Sequence, residues 1–272
     1  MSLKKRLRDV LTRVPVLDAW FRRTVWSRVH FPEDELRFLA ALPAGSIDVA
    51  IDVGGALGSY TWPLNRKARR VIVFEPGKVH GDFLSRALGF SRIELHRAAV
   101  GNTPGKLTLF TPGEDVNARH SATLSTGNPA IDPATAKATE VEVVTLDGFA
   151  EKHLAAGERV DLLKVDVEGF ELAVFEGAAG LIERDKPLIF CEIEARHNAR
   201  YREVFELLAR LGYSAYYAHG GKLTLLESFD ISGLQTEEAL AYRVSDRYQP
   251  GTSEYINNFT FEHPQSRVKV SS

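Results

Sequence analysis

The sequence predicts an α/β protein, a three-layer sandwich with helices on both faces of a mainly parallel sheet and an antiparallel hairpin at its end. Three observations predict it. From Ile47 onward, strand-like and helix-like segments alternate. The strongest strand segments, RRVIVFE and PLIFCEIE among them, are apolar almost throughout, as strands covered on both faces are. The first strand runs straight into glycines, in AIDVGGALGSY from Ala50 to Tyr60, at the point where open α/β sheets place their ligand crevice.

The elements follow in order. IDVAIDV (47–53) is a strand and residues 57–67 a helix; RRVIVFE (69–75) is a strand and residues 79–88 a helix. RIELHRAAV (92–100) is a strand, joined to the alternating GKLTLF (105–110) by the turn Asn102-Thr103-Pro104-Gly105, which predicts a β-hairpin. Residues 111–139 lack a period and read as a long loop, functional or disordered. Regular patterning resumes with the strands EVEVVTL (140–146) and RVDLLKVDV (159–167) and a helix over 170–179. PLIFCEIE (187–194) is a strand and residues 199–211 a helix. YSAYYA (213–218) and KLTLLE (222–227) form a terminal hairpin around Gly220-Gly221. This divides the chain into an amino-terminal extension (1–45), one ligand-binding domain (46–227) and a carboxy-terminal tail (228–272). The tail docks on the domain through Tyr255, Phe259 and Phe261.

Composition is that of a globular protein, 44% hydrophobic and 26% charged. No apolar run approaches the roughly 18 residues of a membrane span, and no secretory signal is visible. The single cysteine, Cys191, has no partner for a disulfide. These features predict a cytoplasmic protein, and a homo-oligomer is compatible with them. The net charge of −2 is uneven: residues 1–28 carry +6, which leaves −8 for the remainder. An acidic body is a poor nucleic-acid binder. The basic segment has Leu3, Leu7, Val10, Leu11 and Val14 at helical spacing, then Trp20, Phe21 and Trp26. An amphipathic helix packed on the body is the favoured reading; a peripheral contact with an anionic membrane is the alternative.

Asp52, Gly54, Gly55 and Gly58 form the first strand-to-helix turn, and Glu75 ends the next strand. An acid there can accept hydrogen bonds from both hydroxyls of a ribose, and the glycines let the backbone approach a ligand. The dinucleotide fingerprint fails, because Ala56 and Ser59 stand where its second and third glycines belong. A pocket with two acids and no phosphate cradle suits S-adenosylmethionine, whose sulfonium and amino group are cationic.

These segments, with VIVFEPGK, AAVGNTPGKLTLF, VEVVTLDGF and DLLKVDVEGFELAVFEGA, resemble the FkbM-type methyltransferases over about residues 48–227. The resemblance implies a class I methyltransferase (Rossmann-like) fold. It also implies S-adenosylmethionine-dependent O-methylation of a sugar, glycan or other hydroxylated metabolite. By position it places Asp52 and Gly54 at the methionine moiety, and Glu75, followed by Pro76, at the ribose. Ala98, Ala99 and Val100 would border the adenine, and Asp166 and Glu168 would face the methyl-transfer centre. Gly55-Ala56-Leu57 and Lys78 depart from residues common in the family.

Methyl transfer to a hydroxyl needs alignment and a proton acceptor. Asp166 and Glu168 are the candidate acids, with Lys164 paired to one of them. His197 is a further candidate base. Glu192 and Glu194 on the next strand add acids that leave a divalent cation open, although no spacing is diagnostic of one. His120, with Arg119 and Ser121, lies in the long loop, which reads equally as a segment that closes over a substrate and as a disordered insertion. His96 reads as structural and His219 as a turn residue. Two other functions compete: a catalytically silent binding or assembly module of the same fold, and an NAD-dependent oxidoreductase, which the failed fingerprint disfavours.

Overall fold

The computed structural model describes residues 34–87, 92–111, 123–124, 135–219, 222–243 and 255–270. The expectations for residues 1–28 and for Arg119, His120 and Ser121 fall outside these residues. Among the described residues no helix is long and apolar enough to cross a membrane.

The chain runs α1 (Asp34–Ala41), β1 (Ile47–Val53), α2 (Thr61–Lys67), β2 (Ala68–Phe74), α3 (Lys78–Ala87), β3 (Ile93–His96), β4 (Ala99–Val100), β5 (Gly105–Thr111) and β6 (Lys137–Val144). It continues with α4 (Leu146–His153), β7 (Val160–Val165), α5 (Glu171–Glu176), α6 (Ala179–Asp185), β8 (Leu188–Glu192), α7 (Tyr201–Arg210), β9 (Ser214–His219), β10 (Lys222–Leu225), α8 (Glu237–Arg243) and β11 (Asn258–Glu262). Eight strands form the main sheet in the order β10-β9-β11-β8-β7-β1-β2-β3. β1 pairs in parallel with both β2 and β7. The order therefore reverses at β1, which makes the β1–β7 boundary the topological switch point.

Apolar residues on both faces of the central strands build the two outer layers. Val49, Ile51 and Val53 join Phe149, Val174, Leu181 and Phe205 under α4–α7. Ala50, Val71, Val73 and Leu162 join Leu36, Leu39, Leu64 and Leu84 under α1–α3. The α/β sandwich with a mainly parallel sheet is thus as the sequence predicts.

Four local expectations need correction. The segment 92–100 is not one strand, and it makes no hairpin with 105–110. The side chain of Arg97 is held by Asp82 at 2.8 Å and the chain breaks there. β3 stays in the main sheet while β4 enters a second sheet, ordered β4-β6-β5. β5 pairs with β6 along its full length, Gly105 to Thr111, a longer ladder than the two residues of β4 could offer. The strand expected over 159–167 ends at Val165, so Asp166 and Glu168 sit in the turn beyond it. The helix expected over 170–179 is two helices. A Cβ on Gly177 would lie 2.0 Å from the Gly101 carbonyl oxygen, and the chain kinks at this close approach.

The largest difference lies after residue 227. β11 is inserted between β8 and β9, antiparallel to both, with every residue buried. Phe259 and Phe261 pack on Phe205, and the terminal hairpin β9–β10 is displaced outward by one strand.

Candidate active site

At the carboxyl ends of β1, β2 and β7 lies a cavity of about 410 Å³, within the range of small-molecule sites. One wall is apolar, from Val53, Phe74, Ala98, Ala99, Val100 and Leu109. Around the rest stand four carboxylates: Glu75, Asp166, Glu168 and Glu192. A wider cleft of about 620 Å³ opens at the opposite, amino-terminal edge of the sheet. There Arg70 is paired with Glu94 and Glu158, and Arg69 with Asp48. That cleft does not touch the switch point, so the carboxyl-end cavity is the candidate site.

Glu75 follows β2 and is almost fully buried. Its Oε2 accepts from the Ala56 amide at 2.8 Å and its Oε1 from the Gly77 amide at 2.7 Å. It thereby ties the turn after β1 to its own loop. Burial pushes its carboxyl up to about 7 against the pull of these two amides, and Asp52 and Asp166 add to the rise.

Asp52 does not line the cavity. It points to the α2 side of β1, accepts from Thr61 Oγ1 at 2.5 Å, and is only 2% exposed. Burial pushes it up to about 6, against the Thr61 hydroxyl and the Lys164 charge. Lys164, its cross-strand partner in the β1–β7 register, is 1% exposed. The Lys164 Nζ lies 3.5 Å from Asp166 Oδ2 and 4.6 Å from the centre of the Tyr60 ring. Asp52 and Lys164 thus form a buried charge layer beneath Asp166.

The glycines serve packing before ligand access. A Cβ on Gly54 would sit 1.9 Å from the Asp166 carbonyl oxygen. On Gly55 it would sit 2.3 Å from Val73 Cγ1, and on Gly58 2.7 Å from Trp62 Nε1. Of the three, Gly54 lines the cavity, as does Pro76; Gly55 and Gly58 do not.

Glu168 takes a left-handed backbone conformation, φ 41°. Thr123 Oγ1 donates to its carbonyl at 2.6 Å, and Thr123 is itself paired with Phe110 through both backbone groups. The bend turns the Glu168 carboxylate toward His197, whose Nδ1 lies 2.5 Å from Oε2. His197 is buried behind Glu168 and does not line the cavity. The structure therefore brings together Glu75, Gly54, Pro76, Ala99, Asp166 and Glu168, with Lys164 and His197 in a layer behind.

Two contributors carry no sequence signal read above. Glu171, buried and pushed up to about 7 by that burial, accepts from Gly169 N at 2.7 Å and from Asn198 Nδ2 at 2.6 Å. It clamps the turn bearing Glu168 to the turn bearing His197. Glu171 does lie in the segment DVEGFE, two residues past the turn glycine, which is the one available hint. Asn257 reaches in from the segment before β11 and donates to both Glu192 and Glu194. Among the described residues no group of three or more His, Cys, Asp or Glu side chains is arranged to hold a metal ion.

Comparison with known proteins bears on the fold and the family. A methyltransferase of Sordaria araneosa, sdnD, is 28% identical over 164 residues, covering 51% of this chain and 62% of that protein. The chain thus spans less than two thirds of this curated relative. A crystal structure of a methyltransferase FkbM from Methylobacillus flagellatus superposes with a TM-score of 0.50 at 17% identity, over 91% of this chain and 52% of that one. An O-methyltransferase from Bacillus cereus in complex with SAH matches 94% of this chain and 96% of its own, with 14% identity and a TM-score of 0.46. The model of the methyltransferase FkbM domain matches residues 52–215, more than half of the chain, and with the α/β fold and the switch-point cavity in place the chain belongs to the FkbM methyltransferase family.

Proposed function

We propose that this protein transfers a methyl group from S-adenosylmethionine to a hydroxyl oxygen of a polyhydroxylated acceptor such as a sugar or glycan. The observation that carries the reading is the single cavity rim shared by Glu75, Asp166 and Glu168 at the switch point. Family membership supports the methyl transfer.

The residues fit the cofactor. Glu75 is an acceptor with both oxygens fixed, as two donating ribose hydroxyls require. Phe74 and Ala98–Val100 supply a flat apolar wall for adenine, and Gly54 and Asp166 border the place for the cationic methionine part. When bound, S-adenosylmethionine supplies an electrophilic methyl group on a sulfonium that leaves as a neutral thioether. The protein orients the acceptor and removes its proton. Glu168 faces the cavity and takes the hydroxyl proton, and His197 behind it holds the carboxylate in place. Asp166 is kept in position by Lys164. Leu109 and Leu124 border the cavity with apolar surface that sheds water.

Titration calorimetry with S-adenosylmethionine and its demethylated product tests the cofactor, with one-to-one binding expected. Mass spectrometry of a glycan extract incubated with enzyme and cofactor then seeks a product heavier by one methylene. Absence of binding heat for both cofactor forms would remove the reading.

A further inference from the structure

The matched family domain ends at residue 215, yet one wall of the cavity depends on residues well beyond it. Gln235 Nε2 donates to the carbonyls of Ile193 and Ile256, and its Oε1 accepts from Ala195 N, which stitches the end of β8 to the segment before β11. That stitch brings Asn257 beside the acids of β8. Both hydrogens of its amide are used, one on Glu192 Oε1 and one on Glu194 Oε1 at 3.0 Å. The two acids then differ. Glu194 is occupied by Tyr255 Oη at 3.1 Å and by Arg196. Burial pushes Glu194 up, but Arg196 and His197 hold it below the usual carboxylate range. Glu192 instead lines the cavity, on the same rim as Glu168.

We infer that Asn257 is a positioning residue that sets Glu192 as the specificity-determining carboxylate for the acceptor. On this inference Glu192 takes a hydroxyl or ammonium donor of the acceptor, and the wall disfavours acceptors with an acidic group. The inference rests on the methyltransferase reading above. Its chemistry is that of a wall whose cavity-facing polar groups, Glu168 and Glu192, are acceptors. A neutral polyol or an amine satisfies such a wall, whereas an acidic group placed against it meets like charge at short range in a partly desolvated site. Asn257 itself lies beyond the matched residues 52–215.

The probes are three glycosides with the same ring: methyl glucoside, methyl glucosaminide and methyl glucuronide. Their binding to the full chain saturated with S-adenosylhomocysteine is followed by saturation-transfer NMR. The expected order is glucoside and glucosaminide together, with glucuronide at least about tenfold weaker, the scale of one charged hydrogen bond exchanged for a repulsion. Glu192→Gln and the near-isosteric Asn257→Leu, which removes both amide donors without adding a charge, should each weaken glucoside binding about tenfold and shrink the glucuronide discrimination at least about threefold. Both should leave the cofactor Kd within about twofold, since neither residue borders the adenine or ribose region. Asn257→Leu applied on top of Glu192→Gln should add little, because Asn257 acts on the acceptor through Glu192. Glucuronide binding as well as glucoside, no binding of any of the three, or unchanged discrimination in Glu192→Gln each overturns the inference. Loss of cofactor binding in the unmodified chain overturns the methyltransferase reading instead, so the two failures are told apart.

Discussion

With Glu75 as the proposed ribose acceptor, the affinity for cofactor should depend on pH in a calculable way. The folded carboxyl sits at about 7 against an ordinary 4.5. The raised value means that the folded chain holds this proton more tightly than the unfolded chain. The associated stability is fully present below about pH 4.5 and is lost as pH rises through about 7, amounting to about 3 kcal/mol. Ribose hydroxyls reverse the preference, since as donors they bind the ionised carboxylate. Only the ionised fraction is competent. Affinity should therefore be about tenfold below its plateau at about pH 6 and about a hundredfold below it at about pH 5. Close to one proton should leave per cofactor bound at about pH 6.

Calorimetry with S-adenosylhomocysteine in two buffers of different ionisation enthalpy reads both numbers. Glu75→Gln is the control. Its amide keeps one acceptor for the Ala56 and Gly77 amides and leaves the other N–H unpaired, at a cost of about 1–3 kcal/mol in stability. It should bind more weakly and lose the pH slope. Asp52 and Glu171 are also raised, to about 6 and about 7, but neither lines the cavity, so their titration should survive as a pH effect on stability in the control. A flat affinity across the range without proton release, or an equal slope in Glu75→Gln, would refute the reasoning.

Glu168→Gln removes the proton acceptor and keeps its shape, so turnover should fall by about a hundredfold or more while the cofactor Kd stays within about twofold; a variant with full turnover would assign Glu168 to structure. Asp166→Asn leaves Lys164 with Asp52 as its remaining carboxylate neighbour, and should weaken cofactor binding more than it slows turnover. Phe259→Ala empties a fully buried site between β8 and β9 and should cost about 3–5 kcal/mol in urea unfolding; a change under about 1 kcal/mol would mean that β11 is not part of the core.

The legible parts of this molecule are those with local signatures. β1, β2, β7 and β8 announce themselves as runs rich in apolar residues because both their faces are covered. Glu75 is legible as a cavity residue because it follows the second strand, at the carboxyl edge where open α/β sheets place their crevice. β11 is not legible, because what makes it a strand is distant. Its partners Cys191 and Tyr217 lie far back in the sequence, and its buried Thr260 and Glu262 read as solvent-facing polar positions. The break between β3 and β4 is hidden for a similar reason. RIELHRAAV looks continuous, and only Asp82 and Ser85, from α3, show that Arg97 is drawn aside. Glu168 was legible as an acid but not as a bend, since a left-handed conformation at a glutamate is set by Thr123 and by Glu171 holding Gly169.

The acid that closes β1 acquires a different purpose in this light. A buried carboxylate is costly unless it is paired, and Asp52 is buried and does not line the cavity. Its hydrogen-bond partner is the Thr61 hydroxyl, and it also feels the charge of Lys164, which is equally buried and would be equally costly alone. Lys164 in turn reaches up to Asp166, the first residue of the turn that lines the cavity. Gly54 is cut back so that the Asp166 carbonyl can pass within the space of a missing Cβ. The acid, the lysine and the glycine therefore act on one object, the position of the Asp166–Glu168 turn. Asp52 acts at one remove, by setting an opposite charge near Lys164 beneath the turn that carries the proposed proton acceptor, Glu168.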